Sequence, residues 1–530
     1  MTYSHEPAGP AEQQNPAGQQ SKGTHAKRDR GEKGEHTQQS RSRSGKGLHR
    51  RTFLGGMAGA AGLAAVGAAG ATFALLSNGS GFKASAADAT LNIPDLLEGT
   101  TADGTTTFTL TAKTGTSEVI SGVTSTTAGY NGSYLGPTMK WTKGDTVLLN
   151  ITNSLGDDTT VHFHGAHIPP KMDGGPQNSF ADGVTWSPTF EVLDEAKTLW
   201  YHPHALGTTA EQVVHGLAGL IIVEDDSEVS AALPSEYGVD DIPLILQCLA
   251  VDTAGDIKYD AAGYRLATTT FPVLVNGTNV DATTLGFTAT KKRTRFRVLN
   301  ASPADIMTVQ RSDGGTLTQI ASDQGYLAEP TEVTTIRLVA GGRAEFVLDL
   351  ADAVTLQAVV TTGWIRGGSG TYDFLTVTPD ATDTPADLPS TLNTITRYDT
   401  SAFTARTITL GQNGATMLIN GSAGTTMAGM AMISTTLDAE EIWTITNNTQ
   451  LEHSFHLHDV PYQVMEINGA APTGVNLGWY DTFEVVGGGS IKIAMKFTDF
   501  TDDTYMYMLH CHLLQHEDEG MMAALMVLDS

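Results

Sequence analysis

Three consecutive residues, His510-Cys511-His512, constrain this chain more than any others. They lie in the stretch YMLHCHLLQHEDEGM (507–521), and the residues before them, MKFTDFTDDTYMYMLH (495–510), read as a strand. Successive strand side chains face opposite ways, so the two imidazoles share one face and the thiol takes the other. His516 follows four residues after His512, and Met521 five after that. A thiolate, an imidazole and a more distant thioether are the ligands of a blue-copper electron-transfer site, with the second imidazole coming from elsewhere. One strand can thus hold a copper through its sulfur on one side and reach two further metals on the other.

The remaining histidines repeat the pattern. Residues 87–530 contain twelve, and ten of them sit in four clusters: His162-x-His164, His202-x-His204, His453-x-x-His456-x-His458 and the segment His510-Cys511-His512 with His516. An i, i+2 pair on a strand projects two imidazoles from one face, so four pairs offer eight convergent nitrogen donors. His453 has the opposite parity to His456 and His458, as Cys511 has to its neighbours. Alternation therefore separates a His/Cys set from an eight-histidine set, while His516, beyond the strand, is not placed by parity. One such pair alone is more often coincidence or part of a three-histidine zinc site than of a copper cluster; four pairs together with Cys511 and Met521 reverse that and point to copper. His167 and His215 read as structural or supporting residues, and Met427, Met430 and Met432 as packing. Cys248, inside the apolar run IPLILQCLAV, reads as a buried structural thiol.

At 530 residues the chain calls for about three domains. From about residue 90 it is rich in Thr, Val, Ile and Leu, with frequent Gly, Asn and Asp turns and no long helical periodicity. That predicts an all-β chain of packed sandwiches. A strand ending in Asn recurs as TVLLNITNS (146–154), RFRVLNAS (295–302) and EIWTITNNT (441–449). An Asn-Gly turn precedes each, at Asn131, Asn276 and Asn420. The expected domains are 87–230, 235–385 and 391–530, with boundaries in DDSEVSAALPSE and PDATDTPADLPS.

Residues 87–530 carry 20 basic and 53 acidic residues, a balance that argues against binding a phosphate backbone. Residues 1–49 are polar and read as a disordered leader. Arg50-Arg51-Thr52-Phe53-Leu54 opens a Gly/Ala-rich apolar run, and Ala84-Ser85-Ala86 offers a cleavage site. Residues 50–86 thus look like a twin-arginine export signal recognised by the export machinery. An uncleaved anchor over 53–76 is the alternative. Both predict a protein carried across the cytoplasmic membrane: periplasmic, held at the cell surface or secreted.

The four clusters, in this order, resemble the copper signatures of three-domain bacterial multicopper oxidases, the branch of laccases, bilirubin oxidases and cuprous oxidases. The likeness spans about 90–530 and is closest at HFHGAHIPPKMDGGPQ (162–177), WYHPH (200–204), GWYDTFEV (478–485) and HCHLLQHEDEGMM (510–522). It implies three cupredoxin-like Greek-key β-sandwich domains and four copper ions per chain. The resemblance gives His453, Cys511 and His516 to a type-1 copper with Met521 axial, and His162 and His456 to the type-2 ion. It gives His164, His202 and His512 to one type-3 ion, and His204, His458 and His510 to the other. The middle domain would supply no ligand and act as a spacer. The implied reaction takes single electrons from a reductant at the type-1 site and passes them from Cys511 through His510 and His512. Dioxygen is then reduced to water at the three-copper cluster. Asp173 and Glu517 match family positions proposed as proton relays; orienting a ligand imidazole is the other role open to each. Asp481 reads as structural.

Two positions depart from the family pattern: Ser454 stands where Pro is frequent, and Asp459 where Gly or an apolar residue is common. Cuprous oxidases of this type resemble one another in a Met-rich insert and in Asp and Met placed four and two residues before the type-1 histidine. Here those positions are Thr449 and Leu451. The expectation is therefore a laccase-like oxidation of phenols or aromatic amines. Cuprous ion as reductant, a copper-carrying electron-transfer protein, and a scaffold that has kept the fold but lost activity are the alternatives.

Overall fold

The computed structural model describes residues 89–252, 254–259, 270–362 and 369–529; the leader expected over 1–49 and the export signal expected over 50–86 lie outside the described residues. Six β-sheets follow one another along the described chain as three pairs. Their strands run between Leu96 and Glu224, between Asp241 and Pro379, and between Thr404 and Leu528. Each pair encloses its own apolar core, built around Phe108, Trp141 and Phe163 in the first, Phe296, Phe346 and Phe374 in the second, and Trp443, Phe455 and Tyr507 in the third. Helices are short, Thr209–Val214 being six residues. Among the described residues no helix is long and apolar enough to cross a membrane.

The repeat seen in the sequence has a physical cause. Each of these strands lies parallel to an earlier strand of its own sandwich: Thr146–Ser154 on Thr105–Ile120, Arg293–Asn300 on Asp241–Cys248, and Glu440–Asn447 on Thr404–Asn413. Asn153, Asn300 and Asn447 then turn the chain. Their Oδ1 atoms accept from the backbone N–H two residues on, at 3.0, 3.0 and 2.9 Å. Their Nδ2 groups donate onward to the carbonyls of Asp157, Asp305 and Leu451. Asn131, Asn276 and Asn420 hold left-handed turns with φ of 61°, 48° and 51°. In each, Oδ1 accepts at 2.8 Å from an N–H of that earlier strand, at Thr111, Ile245 and Thr409.

The single strand expected over 495–510 is two, Ser490–Lys496 and Tyr507–Cys511. The acidic residues between them bind their own backbone: Asp502 Oδ1 accepts from the N–H groups of Thr504 and Tyr505, both at 2.8 Å. Such side-chain bonds offer the chain an alternative to the ladder and end it. The first and third sandwiches meet through two short helices. Asp518, at the end of Leu514–Asp518, accepts from the N–H groups of Thr209 and Ala210, at 3.1 and 3.0 Å, at the start of Thr209–Val214. Those N–H groups have no partner within their own helix.

Candidate metal centre

Strand alternation sorts the candidate ligands into two places. In the third sandwich, His453–Leu457 pairs antiparallel with Tyr507–Cys511, with Phe455 opposite Cys511 and His456 opposite His510. Phe455, Leu457, Leu509 and Cys511 point into the sandwich core. His456 and His510 take the outer face, toward the first sandwich. There the strand His162–His164 lies against Lys197–His202, with His162 opposite His202 and His164 opposite Trp200. Phe163 and Tyr201, of opposite parity, fill that sandwich's core.

In the core of the third sandwich, Cys511 Sγ lies 3.4 Å from His453 Nδ1 and 3.6 Å from His516 Nδ1, and the two Nδ1 atoms are 3.2 Å apart. Met521 is buried in the same core. Its backbone closes the loop: its carbonyl accepts from Cys511 N–H at 3.0 Å and its N–H donates to His516 O at 2.8 Å. Burial pushes the Cys511 thiol up to about 12 and lowers His453 to about 4. Two buried imidazoles and a sulfur thus converge where no water reaches, and a cation is what would favour the thiolate there.

The eight-histidine set lies between the first and third sandwiches, every ring buried. His162 stacks on His458 with ring centres 3.9 Å apart, and His164 on His456 at 3.7 Å. His510 Nε2 is 3.1 Å from His204 Nε2 and 3.3 Å from His458 Nε2. Donor atoms within 4.8 Å of one another join His204, His458 and His510, and likewise His162, His164 and His202, and His162, His456 and His458. His512 falls in none of these trios; its ring lies 4.9 Å from His164 and 5.2 Å from His202.

Hydrogen bonds on the far side of each ring decide which nitrogen faces inward. His162, His202 and His456 donate from Nδ1 to the carbonyls of Asp173, Pro203 and Asp481, at 2.7, 2.8 and 2.9 Å. A carbonyl only accepts, so the proton is on Nδ1 and the lone pair on Nε2. Those three Nε2 atoms are buried without a hydrogen-bond partner. His164 is turned round: its Nε2 meets Asp481 and Thr482 at 3.1 Å, and Nδ1 is left unpartnered. His458 Nδ1 binds Asp173 Oδ2 at 2.7 Å. Glu517 places Oε1 3.3 Å from His204 Nδ1 and Oε2 3.0 Å from His510 Nδ1. Orphaned imidazole lone pairs converging in a dry interface are what a nitrogen-liganded metal requires, and backing groups of this kind orient metal-binding histidines. The donor set fits copper.

Asp481 does more than its sequence suggests. Besides His164 and His456, it holds the Arg343 guanidinium of the middle sandwich through two bonds, at 2.7 and 2.5 Å, and accepts from Gln324 Nε2 at 2.5 Å. The turn Ala340-Gly341-Gly342-Arg343 also covers His512. A Cβ at Gly341, where φ is +83°, would stand 2.9 Å from the ring of His512. Ser454, the residue in the Pro position, donates to Ala340 O at 2.7 Å, and its own carbonyl accepts from His512 N–H at 2.6 Å. The middle sandwich gives no imidazole, yet it supports the site through Arg343, Gln324 and Gly341. None of the three carries a local signal in the sequence.

Of the residues read as supporting, His167 bridges Asp459, at 2.7 Å from Nδ1, and Asp499, at 3.0 Å from Nε2. This accounts for Asp459, the second departure from the family pattern. Cys248 is a buried free thiol.

Known proteins agree with this architecture. The family model described as multicopper oxidase matches residues 111–228, and a second of the same description matches 387–530. The chain is similar to the multicopper oxidase mco of Staphylococcus aureus, 32% identical over 80% of this chain and 89% of that one. It is similar as well to the cell division protein FtsP of Shigella dysenteriae serotype 1, 31% identical over 75% of this chain and 85% of that one. Among solved structures, a laccase from Pediococcus acidilactici Pa5930 superposes with a TM-score of 0.75 at 30% identity, covering 84% of this chain and 94% of that one. With two buried ligand sets on cupredoxin-like sandwiches, the chain belongs to the multicopper oxidase family, copper-binding oxidoreductases.

Proposed function

We propose that this chain is a laccase-like oxidase that couples one-electron oxidation of phenols or aromatic amines to the four-electron reduction of dioxygen to water. His453, Cys511, His516 and Met521 would hold one type-1 copper, and His162 and His456 the type-2 ion. His164, His202 and His512 would hold one type-3 ion, and His204, His458 and His510 the other. Copper at these positions supplies the one-electron chemistry at the reductant's end and the reduction of dioxygen at the other.

The observation that carries the reading is the covalent junction at Cys511. Its sulfur lies in the core of one sandwich while His510 and His512, its chain neighbours, belong to the set on the outer face. A carrier with only the Cys511 site would have no use for eight buried imidazoles with converging lone pairs, and neither would a scaffold without metal. Asp173 and Glu517 contact ligand imidazoles directly. Each is placed both to orient its ring and to hold a proton beside it.

The edge of His453 supports an aromatic reductant. Its Nε2 meets Thr449 Oγ1 at 2.9 Å, and Leu451 lies close by, half-buried. A hydroxyl and an aliphatic side chain suit an uncharged ring better than a soft cation, which a carboxylate and a thioether would favour. Export by the twin-arginine signal over 50–86 belongs to the same proposal, and it places the enzyme where exogenous phenols are met.

The test is oxygen uptake by copper-loaded protein offered a methoxyphenol and, separately, stabilised cuprous ion. Fast uptake with the phenol and little with copper(I) is expected. The reverse would replace the aromatic reductant by cuprous ion, and no uptake with either would remove the oxidase reading.

A further inference from the structure

Six methionines of the third sandwich lie on or beside one face, outside the His204, His458 and His510 set. Met508 is two residues before His510 on the strand Tyr507–Cys511, so the two share a face. Met522 stands opposite His510 and Ala524 opposite Met508 in the neighbouring strand. Met432 stands opposite Ala524 one strand further out. Cross-strand partners face the same way, so Met508, Met522, Met432 and His510 lie on one side of the sheet. Met430, Met508 and Met522 form a buried cluster with Ala524, and half-buried Met427, Met506 and Leu206 pack against it. Leu206 is two residues beyond His204, and Met508 Cγ reaches toward Gly175, two residues beyond Asp173. The cluster therefore borders the imidazole set on the side where the first sandwich closes over it.

Packing alone does not explain its composition. Thioether chains do fill irregular gaps, but this cluster is almost wholly methionine in a chain with 16 of them in 530 residues. The methionines on and beside this face are also graded in exposure. Met508 and Met522 are fully buried, Met427 and Met506 half-buried, and Met432 is 53% exposed. Met521 and Met522, consecutive in sequence, divide between the Cys511 core and this cluster.

We propose that these methionines form an entry site for copper(I), taking the ion at the surface near Met432, Met427 and Met506 and holding it beside His510. Thioethers bind copper(I) without competing protons and prefer it to divalent ions, which imidazoles hold more strongly. An ion held by sulfur at the edge of an imidazole set would pass inward as nitrogen donors replace sulfur. The site is separate from the oxidation of phenols at His453, and either reading can fail without the other.

Silver(I), a soft ion that is not oxidised by the enzyme, is the probe. Fully copper-loaded protein is dialysed against silver(I), and bound silver and copper are counted together. About one silver per chain is expected in addition to the resident copper, with affinity lowered about tenfold or more in Met427→Leu/Met506→Leu. Met465→Leu, at a half-buried methionine outside the cluster, should bind as the parent does. No added silver, or equal retention by the double variant, would overturn the site. Leu is close to Met in volume, so the variant should fold. X-ray absorption of silver in the parent protein gives a reading free of mutation: sulfur neighbours are expected, and nitrogen neighbours alone would overturn the proposal. Filling of metal-free protein by copper(I) under anaerobic conditions should be slower in the double variant and reach the same final copper content. Equal rates would remove the entry role.

Discussion

Arg343 of the middle sandwich grips Asp481 of the third through two parallel bonds, Nη1 to Oδ1 at 2.7 Å and Nη2 to Oδ2 at 2.5 Å, with both side chains buried. Asp481 in turn meets His164 of the first sandwich through Oδ1 and His456 through its carbonyl. Three sandwiches are thereby tied at one carboxylate. Burial would push that carboxyl up, but the guanidinium outweighs it and holds Asp481 well below the usual carboxylate range.

Removing one member of a buried pair leaves the other charge without compensation, which costs about 3–5 kcal/mol. Arg343→Leu should lower the stability of the metal-free protein by that order and reduce copper content, because His164 and His456 lose their anchor. Chemical unfolding and metal analysis check both. Unchanged copper in a destabilised variant would confine Arg343 to folding.

Thr449 is the partner of His453 Nε2 at 2.9 Å. With His453 turning Nδ1 toward Cys511, the proton sits on Nε2 and the hydroxyl accepts it. Thr449→Val would leave that N–H buried and unpaired, at a cost of about 1–3 kcal/mol. On the proposed assignment of a copper to Cys511, the visible absorption and reduction potential of the copper-loaded protein should shift while the copper count stays constant. An unmoved spectrum and potential would show that the hydroxyl has no influence on that site.

Glu517 stands against the Nδ1 atoms of both His204 and His510. Glu517→Gln should weaken copper retention roughly 10- to 100-fold if the carboxylate orients these rings. Equilibrium dialysis against a chelator measures it. A proton relay without an orienting role predicts full copper retention and a loss confined to turnover, so the two roles open to Glu517 separate in one variant.

His167 lies among three carboxylates. Burial lowers it, but Asp459, Asp194 and Asp499 outweigh burial and raise it to about 9. A histidine raised in the folded state contributes stability that is complete below its ordinary value near 6.5 and is lost as pH climbs through about 9. The contribution is about 3 kcal/mol. Unfolding of metal-free parent and His167→Gln at pH 6 and pH 10 should show a gap that shrinks by that order at the higher pH. A gap of equal size at both would mean His167 is neutral in the fold.

Strand alternation is a local property with a period of two, so the division of Cys511 and His453 from the paired histidines could be read from residue spacing alone. The Asn-ending strands and Asn-Gly turns were legible for the same reason, since each Asn bonds backbone a few residues away or on one partner strand. The break between Lys496 and Tyr507 was not, because acidic turn residues bonding their own backbone leave the apolar alternation on either side intact. What only the tertiary structure decided is which groups stand behind the ligands. Arg343 reaches Asp481 across 138 residues, Gly341 covers His512 from another sandwich, and Glu517 acquires its two imidazoles only when the short helix Leu514–Asp518 docks. Such contacts depend on how separately folded sheets pack. The six methionines, scattered through three segments as ordinary apolar residues, came together on or beside one face only when two neighbouring strand pairs set their register.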